Sequence, residues 1–417
     1  MDEVNWAGTH RYRARALHRP RNVAELREVV ARAPRIRVLG SRHSFTDLAD
    51  SDELVSLEGL PADVVVDSAA GTVSCGGALR YGELADVLDA DSLALGNLAS
   101  LPHISVAGAV ATGTHGSGER NGSLATAVAA LEMVTSDGAL VTAARGDADF
   151  DGMVVALGAL GAVTRVTLDV EPAFEVTQRV YEGLGWDALR EGFDAIMAAG
   201  YSVSVFTRWE SEAGQVWVKR RVDEGSPDDA SAELLGARPA TVDRHPILGI
   251  DPVNCTPQLG RPGAWSDRLP HFRMGFTPSA GEEIQTEFLL PRARVGAAIE
   301  AVRGLSEVIV PVLQVSEIRA VAADGLWLSP AYGRETVAIH FTWTREPEAV
   351  ARAVDLLEEA LAPFAARPHW GKTFHATAAA IAPLYERLPD FLALRERLDP
   401  RDAFVNPWLE RHVLGAS

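Results

Sequence analysis

Residues 97–118, NLASLPHISVAGAVATGTHGSG, set the tightest limit on what this chain can build. Gly108, Gly113, Gly116 and Gly118 fall among Ser, Thr and Ala, and long side chains are nearly absent. Such a stretch lets backbone amides wrap an anionic diphosphate. It does not fit GxxxxGK[ST], which excludes a nucleoside-triphosphate P-loop. Nor does Gly116-Ser117-Gly118 sit in a strand–GxGxxG–helix unit, which excludes a Rossmann site.

A second stretch, Val38-Leu39-Gly40-Ser41-Arg42-His43-Ser44-Phe45-Thr46-Asp47, follows a short alternating run and breaks into small polar residues around one histidine. Gly40, Ser41 and Ser44 allow close approach of the backbone to a bound group. His43 at the edge of that cradle can ligate, shuttle a proton or form a covalent bond. These residues alone equally admit a strand-to-loop turn with a solvated histidine.

Taken together, a GxxHS loop, a downstream PHISVAG…ATGTHGSG segment from Pro102, and Pro368-His369-Trp370-Gly371-Lys372 resemble the vanillyl-alcohol-oxidase type of FAD flavoprotein. The last motif matches the HWxK of the sugar-lactone and alditol oxidase branch. Within it the chain is similar to bacterial alditol (xylitol) oxidases over nearly its whole length, including Asn5–Gly8, Leu101–Gly118, Val315–Trp343 and Phe364–Lys372. The resemblance implies an α+β fold with an FAD-binding domain at residues 1–172, a substrate domain at 173–370 and a C-terminal segment at 371–417 returning to the flavin domain. It also implies a monomer that oxidises the terminal alcohol of a polyol with dioxygen as acceptor, or else an aldonolactone oxidase or dehydrogenase.

The same resemblance assigns site residues. His43 matches the histidine joined covalently to the flavin. Arg42 stands where alditol oxidases often have glycine, and there it would disfavour protonation of His43 or contact a flavin phosphate. Val38, Leu39, Gly40, Ser41, Arg42, Ser44, Ser100, Ser105, Gly108, Ala111, Thr112, Gly113, Thr114, His115 and Val163 complete the cofactor cradle. Ser100, Glu317, Arg319, Thr342 and Lys372 match substrate contacts, and Lys372, Glu317, Arg319 and His340 are the candidates for catalysis. By strand alternation Glu317 and Arg319 share a face, as do His340 and Thr342. Taken alone, Glu-x-Arg is commonly a surface ion pair. His369 and Trp370 also suit packing.

Composition narrows the alternatives. A net charge of −18 and a pI near 5.1 argue against a nucleic-acid partner. Of 39 basic residues only Lys219 and Lys372 are lysines. That choice raises the question of whether a titratable amine is needed; for Lys219 the reading here is chance. The two cysteines, Cys75 and Cys255, lie far apart without a CxxC pattern, which fits a reducing cytosol and speaks against a thiolate metal site. Cys75 reads as a buried core thiol. No metal-ligand spacing or Ser/His/Asp arrangement is found. No apolar run is long enough to span a membrane, and the acidic N-terminus lacks a signal pattern, so a cytoplasmic location is expected.

Periodicity predicts a helix over Val23–Ala33 after an Asn22 cap, then strands at Ile36–Leu39, Leu54–Leu57, Val64–Asp67 and Thr72–Cys75. Tyr81–Leu88 reads as a helix, Leu131–Thr135 and Leu140–Ala143 as a hairpin across Ser136-Asp137-Gly138, and Thr164–Val170 as a strand. Further strands are expected at Val203–Trp209, Gln215–Arg221, Glu283–Pro291, Glu317–Val321 and Val337–Trp343, with helices at Val295–Val302 and Glu348–Leu361. Asp223–Pro246 reads as a loop. A helical stretch over Ala378–Leu388 is interrupted at Pro383, and another helix covers Phe391–Leu398.

Overall fold

The first helix, α1 (Val23–Arg32), forms where the apolar spacing requires it. The Asn22 side chain accepts from the Glu25 amide at 2.9 Å, and Leu26 and Val30 turn inward. In the computed structural model, residues 3–225, 232–275 and 283–415 are described, so part of the expected 223–246 loop and the first two residues lie outside them. α1 packs over a three-stranded parallel sheet of β1 (Ala16–His18), β2 (Ile36–Val38) and β3 (Glu53–Val55), with β3 in the centre.

A five-stranded antiparallel sheet follows. Its members are β4 (Val65–Asp67), β5 (Thr72–Gly76), β6 (Val128–Val134), β7 (Leu140–Ala144) and β8 (Ala162–Asp169), in the order β4-β5-β8-β6-β7. The β6–β7 turn uses the expected residues. Thr135 Oγ1 donates to Asp137 Oδ1 at 2.7 Å, and Gly138 takes φ +79°, a conformation glycine adopts without a Cβ clash. Helices α2 (Tyr81–Ala90) and α3 (Val106–Ala111) join this core; α3 lies within the glycine-rich stretch and was not expected as a helix. Cys75 is fully buried on β5, and both cysteines are free.

After Glu171–Pro172 pairs back onto Leu93–Ala94, a large antiparallel sheet begins. It comprises β9 (Glu175–Leu184), β10 (Ser202–Thr207), β11 (Gly214–Arg221), β12 (Ile284–Pro291), β13 (Leu313–Val321) and β14 (Thr336–Trp343). They run in the order β9-β11-β10-β13-β14-β12, with short edge pairings at Arg238–Pro239, Gly263–Ala264 and Arg367–Pro368. Helices α4 (Trp186–Met197), α5 (Val295–Arg303) and α6 (Pro347–Leu361) cover one face through Leu189, Ile299, Val354 and Leu357. The architecture is α+β.

The last part of the chain re-enters the first core. The helix at Ala378–Ile381 passes into a tight turn at Ala382–Leu384 around Pro383, and α7 (Leu388–Leu398) restarts it. Phe404 packs with Leu26 and Ile36, and Trp408 and Leu409 join the core of α2 and α3. Buried Arg37 locks the arrangement: its guanidinium donates to the carbonyls of Leu48, Leu157, Gly158 and Phe404. No helix among the described residues is long and apolar enough to cross a membrane.

Candidate active site

The loop after β2 and the turn into α3 meet along one cavity, which encloses about 2180 Å³ of atom-free space, its mouth included. The amides of Gly40, Ser41, Arg42, His43 and Ser44 make no hydrogen bond among the described residues, and all five residues line the cavity. Ser41 Oγ accepts from the Ser105 amide at 3.0 Å, clasping the two segments together. A Cβ on Gly40 or on Gly108 would lie 2.8 or 2.7 Å from Ser105 Oγ, so neither position tolerates a side chain without rearrangement. Free amides beside glycines packed on Ser105 suit a phosphate-bearing cofactor.

Val38, Leu39, Ser100, Ser105, Ala111, Thr112, Thr114, His115 and Val163 line the same cavity. Gly113 does not. It sits at φ +65° behind the wall, where a Cβ would meet Pro330, so its part is to turn the chain. Arg42 also has a left-handed backbone, φ +65°, the conformation that glycine takes most readily. Its guanidinium is turned to Glu3 at 2.9 Å and away from the role of holding His43 neutral. Burial does that instead, pushing the His43 imidazole down to about 4, with His103, Lys372 and Arg80 adding to it. The ring stacks on Trp6 at 5.3 Å, and its Nδ1 lies 3.0 Å from the Ser41 carbonyl.

Facing this cradle is the uncovered side of the large sheet, where register assembles the polar groups. Glu317 on β13 lies opposite His340 on β14, and His340 lies opposite Glu287 on β12. Directly opposed residues share a face, so one row carries two carboxylates and an imidazole. In the next row Val315, Thr342 and Gln285 are opposed in the same way. Arg319 Nη2 donates to Glu287 Oε1 at 2.5 Å, its Nε stands 3.7 Å from Glu317 Oε1, and its Nη1 reaches Ser100 Oγ at 3.5 Å. His340 Nε2 is 3.1 Å from Thr342 Oγ1. Lys372 donates to Gln285 Oε1, and Gln285 in turn donates to Glu283. Glu317, Arg319, His340, Thr342 and Lys372 therefore share one wall. His369 is buried beside His115, whereas Trp370 is packed away under Tyr385 and Trp408.

Sequence reasoning missed Glu287, Gln285 and His271. The first two had a signal: Glu283, Gln285 and Glu287 alternate with Ile284, Thr286 and Phe288 at the start of a strand. Glu287 is the hub, with Arg319, His115 at 3.2 Å and His340 at 3.5 Å around it. Burial raises the Glu287 and Glu317 carboxyls, but Arg319 and the neighbouring histidines more than offset it and hold both well below the usual range. Lys372 is lowered, chiefly by burial and further by Arg319, against the pull of Glu287. Lys219, read as chance, is 1% exposed and bonded at three points, one of them His271.

The buried histidines make stability depend on acid. Burial drives His43 and His271 to about 4 and His369 to about 3, whereas an imidazole in the unfolded chain protonates near pH 6.5. Between those values the unfolded state binds more protons, so stability falls as the pH drops from about 6.5 towards 4. Below about 4.3 the depressed Glu287 and Glu317 extend the loss in the same direction. Melting temperatures recorded from pH 7 to 4 should decline below about 6.5, beyond the loss that the lowered Lys219 and Lys372 already impose as the pH comes down to about 7. A level profile down to pH 5 would contradict the neutral state of these rings.

Comparison with known proteins gives this cavity a lineage. Residues 14–144 match the family model for an FAD binding domain, and 282–412 match that for D-arabinono-1,4-lactone oxidase. Alditol oxidase from a Streptomyces species is 52% identical over 411 residues, covering 97% of both chains. The chain belongs to the alditol and sugar-lactone oxidase branch of the vanillyl-alcohol-oxidase-type FAD flavoproteins. L-gulono-1,4-lactone dehydrogenase of Mycobacterium tuberculosis is 30% identical over 99% of this chain and 98% of its own. Cholesterol oxidase from B. sterolicum superposes with a TM-score of 0.78 over 98% of this chain and 96% of its own, at 15% identity, sharing the flavoprotein fold. The free amides at Gly40–Ser44 and the glycines packed on Ser105 all fall within the residues matched to the FAD binding domain, and the chain is an FAD oxidoreductase acting on CH–OH groups.

Proposed function

We propose that this enzyme oxidises the terminal primary alcohol of a polyol such as xylitol or sorbitol to the aldose, reducing dioxygen to hydrogen peroxide, with FAD tethered to His43. The observation that carries the reading is the polar wall of Glu317, Arg319, Thr342 and Lys372 facing the cradle across a single cavity. A chain of neighbouring hydroxyls needs partners that donate and partners that accept, and this wall offers both. Ser100 and Thr342 do either, Glu317 accepts, and Arg319 donates. FAD, held by the loop at Gly40–Ser44 and by Ser105 to His115, would supply the two-electron acceptor for the carbinol hydride, to be reoxidised by dioxygen. The remaining demand is on the protein: the hydroxyl proton must leave as the C–H bond breaks, or a protonated carbonyl results. Lys372 Nζ, its ammonium destabilised by burial, takes that proton.

The 52% identity to an alditol oxidase, against 30% to a gulonolactone dehydrogenase, favours an open polyol over a lactone. Peroxide release from the purified protein is the test, assayed against xylitol, sorbitol, glycerol and a gulonolactone. Release with xylitol or sorbitol supports the reading; turnover of the lactone alone would replace it with the lactone oxidase function.

The tether rests on His43, whose neutral ring keeps one nitrogen lone pair available as a nucleophile. Acid precipitation of the wild-type protein should leave the yellow colour in the pellet. From His43→Ala the flavin should appear entirely in the supernatant. Free flavin from the wild type would show that the cofactor is held by the cradle alone.

A further inference from the structure

Beside Glu317 stands a buried chain of groups that the proposed reaction does not use: His271 lines the cavity with it, and Lys219 lies behind. Lys219 on β11 points its ammonium at three acceptors: the carbonyls of Leu269 and of Pro270, the latter at 3.0 Å, and His271 Nδ1 at 3.2 Å. An ammonium has three N–H donors and no lone pair, so these acceptors saturate it. Among the described residues no carboxylate touches it; its counter-charge is Glu317, one imidazole further on, with His271 Nε2 at 2.9 Å from Glu317 Oε1. Ser204 Oγ lies 3.4 Å from the same nitrogen, and Phe206 and Trp217 press edge-on against the ring. Every member of the chain is buried.

We propose that Lys219 is a positioning residue that fixes the tautomer of His271 and, through it, holds Glu317 as the hydroxyl acceptor for the polyol. The logic is one of donors and acceptors. In its ammonium form Lys219 can only donate to Nδ1, so that nitrogen keeps its lone pair and Nε2 carries the hydrogen. Nε2–H then donates to Glu317 Oε1, which orients the carboxylate and leaves Oε2 for a substrate hydroxyl. With the opposite tautomer two lone pairs would face each other at 2.9 Å, and Glu317 would turn away or take up a proton. Arginine could not serve, since its planar fork does not match three acceptors around a single nitrogen. Hence a lysine in a chain whose basic residues are otherwise arginine, apart from Lys372. Burial pushes Lys219 down to about 7, with Glu317 pulling up and Arg268 adding to the fall, so the ammonium form that orders the relay is filled below neutrality and is lost above it. The ionisable groups around the relay are Cys255, Arg268, Glu317 and Arg319.

The link to the polyol rests on the substrate reading above, so the experiment separates the two. In protein labelled with ¹⁵N-histidine, the His271 signals, assigned by their loss in His271→Gln, should report hydrogen on Nε2 and a lone pair on Nδ1. Lys219→Met should mix or invert that pattern. The same variant should raise the half-saturating xylitol concentration for flavin reduction about tenfold, the scale of one hydrogen bond to a charged group, with little change in the limiting rate. In a His271→Gln background, where the amide donates to Glu317 unaided, Lys219→Met should add little to the half-saturating concentration. Hydrogen on Nδ1 in the wild type overturns the proposal even if Lys219→Met fails to fold. An unchanged tautomer in the variant, or a large extra effect of Lys219→Met in the His271→Gln background, overturns it as well. If Glu317→Gln leaves xylitol saturation untouched, the polyol link falls, while the nitrogen spectra still decide whether Lys219 sets His271.

Discussion

Lys372→Met is expected to slow flavin reduction by roughly 100-fold or more, the scale of a positioned proton-transfer group, while reoxidation by dioxygen suffers less. The substitution keeps the length and apolar volume of the side chain, so the wall around it should stand. What it removes is the amine next to Gln285 and over the face of Phe45, 5.1 Å from the ring centroid. Free lysine, with a pKa of about 10.4, is a poor base at neutral pH. Burial and Arg319 both work to lower it here, and the opposing pull of Glu287 does not prevail. Stopped-flow reduction under anaerobic xylitol separates the chemical step from reoxidation. A near-normal rate in the variant would remove Lys372 from proton transfer and pass the role to Glu317.

The second large effect is on stability. Glu287→Leu should destabilise the fold by about 3–5 kcal/mol, the range for stripping one partner from a buried ion pair. Glu287 is 2% exposed and bonded to Arg319, itself 5% exposed, so its loss leaves a guanidinium in the interior with the 3.7 Å contact to Glu317 as its remaining ion pair and a long 3.5 Å bond to Ser100 Oγ, among the described residues. Removing both charges should cost less than removing one, because the stranded cation is the expensive species. Denaturant unfolding of Glu287→Leu, Arg319→Met and the double variant tests this as a cycle. If the double variant loses the sum of the two single losses, the pair is not coupled, and the row is held by packing rather than by charge.

Different parts of the molecule were legible in the sequence for different reasons. The cradle could be read because its function restricts composition directly: Gly40, Ser41 and the residues from Ser105 to His115 are small where backbone must come close. Glu317 and Arg319 could be placed on one face because strand alternation is local. Glu287 could not be assigned, since its meaning comes from standing opposite His340 in a register fixed by strands about 50 residues apart. His271 and Lys219 are further cases: each is a single polar residue, and what it touches is set by the meeting of a loop and a strand. The strand Glu175–Leu184 escaped notice because both its faces are largely buried, which blurs the alternation. In α4 the apolar spacing is clear, but Gly192, non-helical within it, interrupts the pattern.

The clasp at Arg37 carries a consequence for biosynthesis. One of its four carbonyl partners is Phe404, and the core around α2 and α3 takes Trp408 and Leu409. Residues from the beginning of the chain therefore wait for residues some 370 positions later before their interior is filled. On the ribosome the N-terminal strands and helices emerge early, yet their shared core stays open until nearly everything else has been made. Flavin capture is thus expected to follow release of the chain, and a nascent form halted before residue 404 should expose apolar surface to chaperones rather than bind the cofactor.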